Sequence, residues 1–241
     1  MDTSDYLIAI ERDGRAFLAS CTAADPDASI PACPEWRPAD LLWHLAEVHR
    51  FWRSIVEARA SSYDQVVALD RPADDVDLPE LYRQGLGALL TALATVDPAT
   101  PVWTWAAQQD VAFIIRRMAQ ETAVHRWDAD DAAGRAEAIE AELASDGIDE
   151  FLEHFLDQPK DGNTIAGSVH IHCTDVAGEW TTRPDGDRIV TVREHAKGAC
   201  ALRGPADVLL RALWRRASLD DVDVVGDRAV AEQFVGWSRL E

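Results

Sequence analysis

The chain has 241 residues, 43 of them acidic against 23 basic, for a formal net charge of −20, and 47% of it is hydrophobic. That apolar fraction excludes a largely disordered chain, and the length allows one large domain or two modest ones. The acidity disfavours nucleic acid, whose backbone demands clustered Lys and Arg, and no apolar run is long enough to span a membrane.

The first predicted helix covers residues 4–22, with Leu7, Ile10, Phe17 and Cys21 at helical spacing and a small Gly14 in the same stripe. It follows an acidic N-terminus, Met1 to Tyr6, that lacks the basic start and apolar core of a signal peptide. A loop holding Pro26, Pro31 and Pro34 leads to Pro38, which suits the first turn of a second helix running to about Ala60. Beyond a polar stretch at residues 71–77, Asp77 and Glu80 resemble a capping box for a third helix. Its core stripe is Tyr82, Leu86, Leu89, Leu93 and Val96. A short extended link through Trp103 and Trp105 precedes a fourth helix at residues 110–132. A further helical region at 136–156 is expected to break or bend at Asp146-Gly147.

The character changes at Gln158-Pro159-Lys160-Asp161-Gly162-Asn163, the best linker candidate. Strand-like runs follow at 164–174, 179–182, 188–192 and 199–203, with Asp185-Gly186 as a hairpin turn signal between the second and third. Helices near 205–216 and 228–237 complete a small α+β unit. The predicted fold class is therefore α+β, with a helical bundle at residues 1–158 and a small α+β domain at 159–241. The four cysteines, Cys21, Cys33, Cys173 and Cys200, form no C-x-x-C pair, so reduced thiols in a cytoplasmic protein are expected. Cys33 lies among prolines without a local His partner and reads as structural.

The fourth helix carries the main functional clue. Ile114, Met118, Glu121 and His125 share one face, so two apolar residues begin a stripe that two metal-ligand types finish. A buried Glu and His must be paired, hydrogen-bonded or metal-bound. Glu121 and His125 are one turn apart and can reach one point; Asp128 stands where it could orient the His125 ring. The same pair also suits a solvated or salt-bridged face, and Arg117, one turn before Glu121, could neutralise it or meet an acidic substrate. In the second helix, His49 falls inside the Leu45, Trp52 and Val56 stripe, whereas His44 lies at its edge beside Phe51 and Ile55. The wheel slightly prefers His49 as the buried histidine, and either could add a third ligand across a bundle.

Cys33-Pro34-Glu35-Trp36, Leu41-Leu42-Trp43-His44 and Glu121-x-x-x-His125-x-x-Asp128 resemble the mycothiol-dependent maleylpyruvate isomerase family. Val169-His170-Ile171-His172-Cys173-Thr174-Asp175 with Gly178-Glu179-Trp180, and Gly204-Pro205 opening a helix toward Arg211, resemble its small C-terminal domain. Glu35 stands where the family commonly has Gly. The resemblance implies a DinB-like four-helix metal-binding bundle with His44, Glu121 and His125 as ligands, overruling the wheel. It implies a divalent cofactor, zinc first among the ions that such ligands suit. Mycothiol is the implied thiol and a small electrophile the substrate, the reaction being isomerisation or thiol transfer. A non-catalytic metal- or ligand-binding regulator is the alternative.

Two other groups carry weaker signals. Arg211 and Arg215 share a helix face and could meet carboxylates, although solvated arginines are the plainer reading. His170 and His172 alternate along a strand and point to one face. With no neighbouring Glu or third His to complete a set, they read as packing residues or a wall at the domain interface.

Overall fold

A computed structural model describes residues 1–66, 70–73, 76–156, 165–186 and 188–237. The proposed linker at 158–163 lies outside them. The chain divides into two compact units, Met1–Glu137 and Ala138–Glu241.

The first unit is built on four helices: α1 (Thr3–Ala23), α2 (Pro38–Ala58), α3 (Leu78–Thr95) and α4 (Val111–Ala132), with a single 3-10 turn at Tyr63–Gln65. Their starts follow from local chemistry. The Asp2 side chain accepts from the Ser4 and Asp5 backbone, Pro38 opens α2, and the Asp77 and Asp110 side chains accept from Glu80 N and Phe113 N. The α3 stripe is buried from Tyr82 through Leu93, with Val96 as the cap residue. At Gly14 α1 comes so close to α3 that an added Cβ would lie 2.8 Å from both Leu86 methyls.

α4 is the central helix, buried on nearly every side, so its polar residues need partners inside the protein. Arg126 pairs with Asp130 at 2.8 Å, and Asp130 also accepts from Ser20 of α1. His49 Nε2 lies 2.9 Å from Thr122 Oγ1, which ties α2 to α4. Burial pushes the His49 imidazole down to about 3, so it sits in the core as a neutral ring. Trp52 stacks on Trp103 at 6.4 Å between ring centroids and meets Phe113 edge-on, filling the other end.

The second unit holds α5 (Ala141–His154), a five-stranded sheet, α6 (Ala206–Leu213) and α7 (Arg228–Trp237). The strands are β1 (Val169–Cys173), β2 (Glu179–Asp185), β3 (Arg188–Val192), β4 (Cys200–Gly204) and β5 (Asp223–Gly226), in the order β3-β2-β1-β4-β5. β1 and β4 run parallel, and every other pair is antiparallel. Gly186 takes φ +64 after β2, at the predicted turn.

Three expectations change. The division falls after Glu137 rather than Gln158, because α5 packs against α6 and belongs to the second unit. α5 runs unbroken through Gly147: its buried face of Leu143, Ile148, Phe151 and Leu152 outweighs the ~1 kcal/mol cost of a helical glycine. β5 is an added edge strand. No helix among the described residues is long and apolar enough to cross a membrane, and all four cysteines are free thiols.

Candidate metal centre

α4 presents Arg117, Glu121 and His125 on successive turns, and α2 lays His44 against them. Glu121 Oε1 lies 3.4 Å from His44 Nε2 and 3.2 Å from His125 Nε2. The two imidazole rings meet edge-on with centroids 4.9 Å apart. One ligand atom from each of the three residues lies within 4.8 Å of the others.

The other carboxylate oxygen is already engaged, since the buried Arg117 guanidinium donates to Glu121 Oε2 at 3.0 Å. Arg117 thus takes the pairing role rather than that of a free anion receptor, and it leaves Oε1 turned toward both rings. Asp128 Oδ2 lies 2.9 Å from His125 Nδ1 and is fully buried. A carboxylate there favours a proton on Nδ1, so that Nε2, the nitrogen facing the cluster, is the one to exchange its proton for a metal ion. Trp36 closes on the other histidine, its ring 4.9 Å from that of His44.

Burial by itself favours a neutral Glu121, but the His125 charge, hydrogen bonds from His125 and His44 and the Arg117 charge hold its pKa well below the usual range. Burial likewise opposes a charged His125, yet the Glu121 charge and hydrogen bonds to Asp128 and Glu121 push it up to about 9. A carboxylate between two imidazoles asks for positive charge, which a proton or a metal ion can supply.

The donor set fits a divalent ion. Tetrahedral zinc with bonds of ~2.05 Å sets its ligand atoms about 3.3 Å apart, close to the 3.2 and 3.4 Å found here. His44 and Glu121 keep side-chain exposures of 30% and 22%, so solvent reaches one side of the cluster while His125 and Asp128 close the other. Three protein donors and an open side suit an ion that also takes an exogenous ligand.

His49 is the buried histidine of α2, as the wheel suggests, but it faces Thr122 while His44 joins the cluster. Arg211 is bonded to Asp207 one turn back in α6 at 2.8 Å. Arg215, at φ +60, donates to the carbonyls of Val235 and Gly236 at the end of α7. Neither is set up to receive a substrate carboxylate. Sequence spacing also gives no sign of a second grouping, in which His170 and His172 meet Glu179.

The mycothiol maleylpyruvate isomerase N-terminal domain model matches residues 7–130, and the MDMPI C-terminal domain model matches residues 142–233. Among solved structures, a crystal structure of the mycothiol-dependent maleylpyruvate isomerase aligns with a TM-score of 0.67 at 10% identity, covering 93% of each chain. One of a histidine-to-alanine mutant of that enzyme aligns at 0.65, with 10% identity and 93% of each chain covered. At that identity the likeness establishes the shared fold, a helical bundle followed by a small mixed-sheet region. No curated protein matches the chain.

Proposed function

The chain belongs to the mycothiol maleylpyruvate isomerase family, a family of enzymes, and we propose that it is a metal-dependent member activating mycothiol toward a small electrophile. The observation that carries this reading is the convergence of His44 and His125 on Glu121 Oε1. A divalent ion of the zinc class, when bound by these three residues, supplies the positive charge that keeps a thiol deprotonated near neutral pH.

The protein's own residues do the rest. Arg117 fixes Glu121 through Oε2, Asp128 fixes the His125 tautomer, and both act as positioning residues. The open side by His44 and Glu121 admits thiol and substrate. The thiolate adds to a carbon of a conjugated double bond, forming a C–S bond as the π electrons move onto the adjoining carbonyl. The former double bond is then free to rotate. Return of the electrons expels the thiolate and restores the double bond in its other geometry. Where a proton instead reaches the adduct carbon, the thioether is released and the reaction is a transfer.

Incubation of metal-loaded protein with mycothiol and a panel of conjugated electrophiles tests the proposal, with wild type compared to Glu121→Gln. Isomerisation or thiol consumption that disappears in the variant supports it. Mycothiol binding without turnover across the panel would replace it with a non-catalytic, ligand-sensing role. Unchanged stoichiometric metal in His125→Ala would remove the ligand assignment.

A further inference from the structure

The β1–β2 pairing sets His172 directly opposite Glu179 and His170 opposite Thr181. All four side chains therefore fall on one sheet face, while Val169, Ile171, Cys173 and Trp180 fill the core on the other. Thr181 Oγ1 donates to the Glu194 carbonyl at 3.0 Å, holding the segment after β3 beside this face and bringing His195 over it.

Three imidazoles thus converge on a single carboxylate oxygen. Glu179 Oε1 lies 2.8 Å from His170 Nε2, 3.1 Å from His172 Nδ1 and 2.6 Å from His195 Nδ1. The His170 ring lies 4.9 Å from that of His195 and 6.0 Å from that of His172. As a purely hydrogen-bonded group this is overfilled, since one oxygen with two lone pairs would face three N–H donors.

We propose that the second unit carries its own site for a divalent transition ion of the zinc class, formed by His170, His172 and Glu179 and closed by His195. One ligand atom from each of His170, His172 and Glu179 lies within 4.8 Å of the others. The distances to Oε1, 2.6 to 3.1 Å, are shorter than the ~3.3 Å ligand spacing of tetrahedral zinc, so the ligand atoms part by about 0.2 to 0.7 Å to admit the ion. Neutral imidazole nitrogens with one carboxylate suit zinc over magnesium or calcium, which take oxygen ligands. Binding requires each imidazole to turn a lone pair toward the ion, displacing any proton carried on that nitrogen. His170 is nearly buried, while the His195 side chain is 78% exposed. The rigid strand pair therefore supplies a preformed half of the site, and the ion enters from the His195 side. This site is independent of the one in the helical unit and does not rest on the mycothiol reading.

The test is metal counting on the full chain without a purification tag, stripped with a chelator and then equilibrated with zinc. Wild type is expected to hold about two ions per chain. The variant His170→Ala/His172→Ala is expected to lose one of them, and His125→Ala to lose the other. Glu179→Gln keeps the side-chain shape and is the control for folding, with circular dichroism recorded on each variant; it too should lose one ion. Cobalt in place of zinc should give, in His125→Ala, the visible absorption of a tetrahedral N/O site. The proposal is overturned if His170→Ala/His172→Ala and Glu179→Gln each hold as much zinc as wild type. It is equally overturned if wild type holds a single ion that His125→Ala removes.

Discussion

His125 and Asp128 face each other one turn apart on α4, Nδ1 to Oδ2 at 2.9 Å, with Asp128 shielded from solvent. The aspartate sets which ring nitrogen carries the proton, and therefore which is free to bind a cation. Asp128→Asn keeps the size but removes the charge, and we expect metal affinity to fall roughly 10- to 100-fold. Competition against a chromophoric chelator measures this; equal affinity in the variant would strip Asp128 of its role.

Arg117 is the buried partner of Glu121 Oε2. Arg117→Met leaves that carboxylate with a lost ion pair in a mostly enclosed setting, at a cost of about 3 kcal/mol of stability in the metal-free protein. Urea unfolding reads the loss. Adding Glu121→Gln should recover part of it, since the stranded charge then disappears.

His49 gives a pH dependence with a definite sign. Its folded pKa, lowered by burial to about 3, lies below the ~6.5 of an unfolded chain. Above pH 6.5 the ring is neutral in both states and contributes nothing. Below that, the unfolded chain takes up a proton that the folded one refuses, so stability falls until pH reaches about 3. The slope is about 1.4 kcal/mol per pH unit. His49→Gln preserves a group able to reach Thr122 and abolishes this slope. The stability difference between wild type and variant should therefore shift by about 2 kcal/mol between pH 6.5 and pH 5. A constant difference over that range would contradict a neutral buried His49.

At Gly226, φ is +97 and an added Cβ would lie 2.5 Å from the Ala199 carbonyl oxygen. Both the left-handed backbone and the clash with main chain oppose any side chain. Gly226→Ala should cost at least about 2 kcal/mol, read by chemical denaturation of the second unit. Gly85, with nothing near its Cβ position, is the neutral comparison.

What the sequence reveals and what it hides divide along physical lines. Helix starts are legible because their determinants are local: Asp110 ahead of Val111 and Pro38 at the head of α2 act within one turn. Burial is legible too, and His49 is indeed the enclosed histidine of α2. Convergence is another matter. That His44 rather than His49 meets Glu121 depends on how α2 crosses α4, which a helical wheel does not encode; motif resemblance points to it. β5 escapes because Asp223-Val224-Val225-Gly226 is short, acidic at its start and mostly exposed, and only its neighbour β4 defines it. The Glu179 and His195 partners of His170 and His172 arise from strand register and from the chain path after β3, neither of which is written in the H-x-H spacing.

The parallel β1–β4 pair at the middle of the sheet bears on the order of events during folding. Its partners are separated in the chain by the whole β2–β3 hairpin, so the ends of a long loop must meet before the pair gains a single hydrogen bond. The hairpin forms from neighbours in sequence, whereas β4 arrives late and brings α6 and β5 with it. Refolding of the second unit should therefore trail that of the helical unit. Until β4 docks, the β1 edge is bare, and that interval is when a second copy of the chain could pair there instead.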